Sequence, residues 1–457
     1  MAFFHFKMKK SILSYLHKIL GNELDAKIKQ AFLKGSLSSL FLQASLSILT
    51  FLITIVVARL TGDKGFGIYT LVFTWVTIVS AAAVFGLDDL ALRQMPLYKA
   101  NEDKSQAKAF LIWGNKAVLF SGLISAIIFS LAAFFLPISG LSEYSEYHFY
   151  AALSIPFFVI MHFNQAALRG WGKLGSGQIV EKILQPLFFL GVLFFVYLLG
   201  NQIDDFSAIV FRTVSFFLAA AAALYLVYKK LNIIFIKSST SLNAKHWRKT
   251  CFYFMLSTLL YSINTRIDIV FLGIFEIEPE KIAYYNVALK FSDIALIPYL
   301  VICTVSTPMF SSLYHQNRKE ELQAFYTKIT RISALLIALI ITVFIALGPW
   351  FLSWYGTSFK AGFTVLVLLC ITKLVHVFIG PANYLLSMIG QERAVTKALI
   401  LSVIINIFLQ FLLIPPFGIE GAAFATLGGL LFFDISLAFS AYFSSGLWVS
   451  VFGKFKS

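Results

Sequence analysis

Residues 398–443 read ALILSVIINIFLQFLLIP-PFGIE-GAAFATLGGLLFFDISLAFSAYF, two apolar runs (398–415 and 421–443) joined by five residues. The first run holds no Asp, Glu, Lys or Arg, and the second holds only Asp434. About 20 apolar residues of helix are needed to cross a hydrocarbon core about 30 Å thick. Neither run alternates with the period of two that marks a barrel strand. A helix satisfies its own backbone donors and acceptors in lipid, so two membrane helices are the expected structure. The same pattern extends outward to ten more runs: 36–58, 68–87, 109–135, 148–168, 179–199, 206–227, 251–275, 282–310, 332–354 and 361–389. Numbered in chain order, these are spans one to twelve.

Composition agrees. Of 457 residues, 59% are hydrophobic and 13% charged, with a mean hydropathy of +0.82. Soluble domains run about 45–50% apolar and about 25% charged, so this chain could not wet its own surface as a soluble fold. The 49 Phe suit the acyl region. Cys251, Cys303 and Cys370 all lie in apolar runs, which excludes a disulfide framework. The basic start, Met1–Lys10, precedes no cleavable apolar core, so no signal peptide is expected.

A formal net charge of +15 would otherwise suggest nucleic acid, but its placement gives another reading. Twelve spans put both termini on one side. If that side is cytoplasmic, 28 of the 37 Lys and Arg fall there, with Lys182 at the lip of span five. The inner loops and termini then carry +18, the outer loops −5 and the spans +2. That is the positive-inside bias, so the basic charge orients the chain and no nucleic-acid partner is expected. Residues 11–34 place Ile12, Leu13, Leu16, Ile19, Leu20, Leu24, Ile28 and Phe32 at helical spacing among lysines. They are expected to form an amphipathic helix on the cytoplasmic leaflet, the alternative being a solvated basic tail.

Loop lengths exclude chemistry. The longest outer gap, 136–147, has twelve residues, and no inner gap is long enough for a domain. The chain has no GxxxxGK[ST] phosphate loop, no GxSxG elbow and no metal-spaced histidines. A membrane-embedded glycan polymerase or ligase would need a sizeable outer loop for its acceptor. The chain is therefore expected to be a transporter, not an enzyme, without metal or cofactor.

The inner loop 228–250 divides the chain into similar halves. Phe66-Gly67-Ile68-Tyr69 matches Ile282-Ala283-Tyr284-Tyr285 at an offset of 216. Gly170-Trp171-Gly172-Lys173 matches Met388-Ile389-Gly390-Gln391 at 218, and Phe211-Arg212-Thr213 matches Phe424-Ala425-Thr426 at 213. Six spans per half make the repeats parallel, an arrangement that encloses a midplane site between rocking halves. The expected organisation is a segment 1–35, a first lobe 36–228, a linker 229–250, and a second lobe 251–457 that includes a short cytoplasmic tail.

Several segments carry a resemblance. Ala58-Arg59-Leu60-Thr61-Gly62, Phe66-Gly67-Ile68-Tyr69, then Phe85-Gly86-Leu87-Asp88 and Arg93 resemble the first hairpin of the polysaccharide flippases. These belong to the multidrug/oligosaccharidyl-lipid/polysaccharide exporter superfamily. Arg266-Ile267-Asp268 with Leu272-Gly273, and Tyr285-Asn286-Val287-Ala288-Leu289-Lys290, are similar to its seventh and eighth spans. Leu385 to Arg393 resembles the tenth-span exit, and Leu413 to Ala423 the turn into the twelfth span. The resemblance implies a V-shaped, all-α pair of six-helix lobes. These would move polyprenyl-pyrophosphate-linked oligosaccharide, an O-antigen or exopolysaccharide unit, from the inner to the outer leaflet of the cytoplasmic membrane. Membrane lipid and polysaccharide polymerase machinery are the expected partners and a monomer the expected state, with a proton or sodium gradient as a candidate drive. Lipid II flippases of the superfamily typically have fourteen spans and cavity-facing arginines in their first two helices. Here Arg59 ends span one and spans one and two are otherwise uncharged, which favours the glycan unit. A cation-coupled multidrug exporter and a lipid II flippase are the alternatives.

Ionisable residues inside spans are expensive and are the functional candidates. Arg266 lies nine residues from the outer end of span seven, about 14 Å deep at about 1.5 Å per residue. Lys290 lies eight residues into span eight, about 12 Å deep. Both are expected to contact pyrophosphate or an acidic sugar, Arg through its planar fork and Lys as a point charge. Lys116 is expected either to attract entering phosphate or to snorkel. Lys290 and Asp293, three apart, can instead pair with each other. Arg266 and Asp268 are separated by about 200° of helix, so only one can face a cavity squarely. Asp268 and Asp293 are candidates for a coupling proton or sodium ion. Lys373 and Asp434 lie at one depth in spans ten and twelve and are expected to form a structural ion pair, with His376 beside it. Arg212 is expected to snorkel to the outer surface. Pro298 and Pro308 are expected to interrupt the helix ladder of span eight, where a kink could serve gating or simply be tolerated by packing.

Overall fold

The computed structural model describes residues 26–136, 140, 142–200, 203–232 and 247–453, with most side chains from Leu49 onward. Among these residues all regular structure is helical. Ten helices are long and apolar enough to cross a membrane, and they carry all twelve apolar runs because two of them hold two runs each. In the helix Ala26–Ala83 the break is Gly62, at φ 74° and ψ −179°. That backbone region is open essentially only to glycine. Phe51 and Phe66, on either side of it, both pack on the ring of Tyr355, at 5.8 and 6.2 Å. A straight helix would hold them about 22 Å apart, so the chain folds back at Gly62. The helix Glu392–Ser445 folds back at Gly418 (φ 57°) beside Pro415 and Pro416, and the Ser402 hydroxyl donates to the Gly429 carbonyl at 2.7 Å. The turns expected at 59–67 and 416–420 are thus helical except for these glycines.

The expected amphipathic segment lies outside the described residues as far as 25. From Ala26 its backbone continues in the helix of span one. Pro298 and Pro308 each remove a donor from the ladder of span eight, yet Pro279–His315 runs through both as one helix. The break falls in span ten instead, at Gly380 (φ 86°) and Pro381, between Phe363–Ile379 and Ala382–Met388. The Tyr326 hydroxyl donates to the Ile379 carbonyl at 2.8 Å, satisfying one acceptor that the break releases. Span five contains a π-helical turn, Val180–Leu184.

Lipid supplies no hydrophobic drive between rods, so close packing and buried hydrogen bonds hold them together. Gly114 lies under the Phe163 ring, where a Cβ would come within 2.1 Å. Gly67 abuts the backbone of Pro279, bringing span two against the start of span eight. The outward faces carry Phe120, Phe194, Phe195, Leu335 and Phe443, all exposed, as helices solvated by acyl chains should.

Candidate functional site

The ends of the bundle differ in charge, and the halves touch at both. At the acidic end, which joins spans one to two and seven to eight, the halves are tied together. Arg59 donates from Nε to the Trp354 carbonyl and from Nη2 to that of Ser353, both at 2.8 Å. The Tyr284 hydroxyl donates to Asp63 at 2.9 Å, and Thr54 and Tyr355 share a hydrogen bond of 2.7 Å. Phe66, Tyr355 and Phe359 are buried beneath. At the basic end, Gly86 packs against the backbone of Cys251, and Trp247 meets Phe110 edge-on at 5.4 Å.

Between these ends lies a cavity of about 860 Å³, lined from spans one, two, four to eight and ten. That is within the range of about 300–1,000 Å³ typical of pockets for small ligands. Its lining includes Tyr261, 66% exposed, and Leu300, 38% exposed.

Arg266, Lys290 and Asp293 all line the cavity. Neither Arg266 nor Lys290 has a side-chain hydrogen bond or ion pair among the described residues; Lys290 has Arg266 and Arg212 near it as like charges and Asp293 as an opposite one, and Asp293 also acts on Arg266. Asp293 does not pair with Lys290. Its Oδ1 lies 2.8 Å from Lys373 Nζ. The expected Lys373–Asp434 ion pair is therefore corrected. Asp434 instead meets His376 Nδ1 at 2.9 Å. The shared depth of these groups was read from the sequence, but depth does not fix azimuth, and the flexible lysine reaches span eight while the shorter imidazole faces span twelve.

Asp268 turns away from the cavity, as its separation from Arg266 requires. It is buried, accepting from the Tyr285 hydroxyl at 2.6 Å and from Gln410 Nε2 at 2.8 Å. Lys116 is not part of the cavity lining. It is exposed on the same helix as exposed Leu119 and Phe120, so the structure separates it from Arg266 and Lys290.

Arg212 is the second correction. Rather than snorkelling, it lines the cavity, with its guanidinium carbon 5.1, 5.2 and 6.0 Å from the ring centres of Phe189, Phe216 and Phe73. Its buried Nε has no hydrogen-bond partner among the described residues. The aromatics four and more residues away on three helices were the signal, but only packing brings them together. Lys182 and Glu181 also reach the lining from the π-helical turn, and Gln165 Nε2 donates to Glu181 at 2.8 Å. An extra residue in one helical turn rotates everything after it, and no sequence pattern announces it. The lining thus carries four cations (Lys182, Arg212, Arg266, Lys290) against two carboxylates, of which Asp293 is already neutralised by Lys373. An ion taken from water keeps an effective penalty of several kcal/mol unless paired. This surface is complementary to an anion.

Among proteins of known kind, the family described as polysaccharide biosynthesis protein matches residues 32–314. A probable low-salt glycan biosynthesis flippase of Haloferax volcanii is 24% identical over 395 residues, 85% of this chain and 78% of that protein. Stage V sporulation protein B of Bacillus subtilis is 22% identical, over 93% of this chain and 85% of its own. Among solved structures, an inward-facing multidrug transporter of the same exporter superfamily aligns with a TM-score of 0.70 and 16% identity, covering 88% of this chain and 95% of its own. The lipid II flippase MurJ, inward closed, aligns at 0.67 and 15%, over 88% and 86%. The fold is that of this superfamily: an all-helical, multi-pass membrane bundle.

Proposed function

We propose, for a chain that belongs to the polysaccharide biosynthesis protein family, that the cation-lined cavity carries the head group of a polyprenyl-pyrophosphate-linked oligosaccharide across the membrane. Taking phosphates and sugar hydroxyls through hydrocarbon unaided would cost many kcal/mol, because each charge and hydroxyl would lose its water. The cavity offers Arg266, Lys290 and Arg212 in exchange, while the tail stays in lipid. The carrying observation is that these three cations line one cavity with no ion pair of their own among the described residues, while Asp293, the carboxylate near them, is paired with Lys373. No covalent chemistry is involved.

In this reading the basic end is cytoplasmic, with both termini on that side of the cell membrane, and the tied acidic end faces outward. Twelve crossings arranged as lobes 36–228 and 251–457 rock about the cavity. A cation-coupled drug exporter would need an acidic cavity, and this one is basic. In proteoliposomes, the expected result is movement of a fluorescent polyprenyl-pyrophosphate-linked oligosaccharide with no efflux of a cationic dye. Dye efflux without lipid movement would select the drug exporter.

A further inference from the structure

Where the two halves meet at the acidic end of the cavity, Asn286 Nδ2 donates to the Thr70 hydroxyl at 3.0 Å. The two positions are 216 residues apart, the offset that relates Phe66–Tyr69 to Ile282–Tyr285. Equivalent positions of two repeats can touch directly only where the repeat axis passes between them, so this hydrogen bond marks the centre of the closure. Both residues line the cavity. Asn286 is 5% exposed, and its Oδ1 is buried with no hydrogen-bond partner among the described residues. An amide flip would leave a donor unpartnered in place of an acceptor, so either assignment leaves one polar atom of a buried amide unsatisfied, which is a costly state. Lys290 is four residues along the same helix and on the same face.

We infer that Asn286, positioned by Thr70, is a sugar-reading residue that takes a hydroxyl of the sugar next to the pyrophosphate. This rests on the proposed lipid-linked substrate, with the phosphates at Lys290 and Arg266. A sugar hydroxyl both donates and accepts, so it complements either amide orientation. A drug cation or a bare diphosphate offers no such group at that depth. Because the amide sits in the closure between spans two and eight, the hydroxyl reaches it only as those spans ease apart.

The test compares two probes on the purified full chain in detergent: farnesyl pyrophosphate and farnesyl-pyrophosphoryl-N-acetylglucosamine. Wild type is expected to bind the sugar-bearing probe roughly tenfold more tightly, the size of one hydrogen bond to a buried polar group. Asn286→Leu should erase that preference and leave farnesyl pyrophosphate affinity unchanged, which also certifies its fold. Thr70→Val, which keeps the shape but loses the hydroxyl, should reduce the preference in the same way. Equal affinities in wild type, or a preference that survives both substitutions, would overturn the inference while leaving the pyrophosphate site standing. Absence of binding by either probe to wild type would remove both.

Discussion

Two regions of this bundle hold ionisable groups at similar depth and treat them in opposite ways. In the second half's interior every carboxylate is answered: Asp268 by Tyr285 and Gln410, Asp434 by His376. In the cavity, Arg212, Arg266 and Lys290 line an open surface with Asp293 already committed to Lys373. Satisfied buried charge specifies and holds a structure. Unsatisfied cations at the edge of water are a standing invitation to an anion. The difference separates what keeps the helices together from what the helices are for.

Arg266→Ala should break the comparison on the binding side most severely, weakening binding of a pyrophosphate-bearing lipid by about 2–5 kcal/mol with stability held or raised. Asp434→Ala should do the reverse. Removing the acceptor leaves the His376 ring nitrogen without its buried partner and costs about 1–3 kcal/mol, to be read as lost thermal stability in detergent. Equal losses of stability in both variants would erase the distinction between the regions. Tyr285→Phe removes one hydrogen bond to Asp268 and should lower stability by about 1–3 kcal/mol, leaving pyrophosphate affinity untouched. Lys116→Ala, outside both regions, should change either measurement by no more than about 0.5 kcal/mol.

How much of this was legible follows the geometry of a helix. Apolar runs located every helix among the described residues that is long and apolar enough to cross a membrane, because lipid forces a length and forbids charge. They did not locate the helix Leu87–Ala100. Counting residues from a span end gave the depth of Arg266 and Lys290, and the helical repeat required Asp268 to leave the cavity if Arg266 faced it. Partner choice was not legible. Lys373 had two carboxylates near its own depth, and only the packing of span ten against span eight selects Asp293. Arg212 was misplaced for a related reason. A short distance to the surface makes snorkelling affordable, but the pocket formed by Phe73, Phe189 and Phe216 comes from three separate helices. The π-helical turn that presents Glu181 and Lys182 leaves no trace in the residue pattern at all. The hairpins at Gly62 and Gly418 were visible as short gaps, though not as single-residue breaks.

The central claim is that cavity cations move an anionic head group, and transport by a cation-free cavity tests it most directly. Proteoliposomes carrying Arg266→Ala/Lys290→Ala, at matched protein content and folded by size exclusion, should move a fluorescent polyprenyl-pyrophosphate-linked oligosaccharide at the rate of empty liposomes. Movement at the wild-type rate would contradict the account.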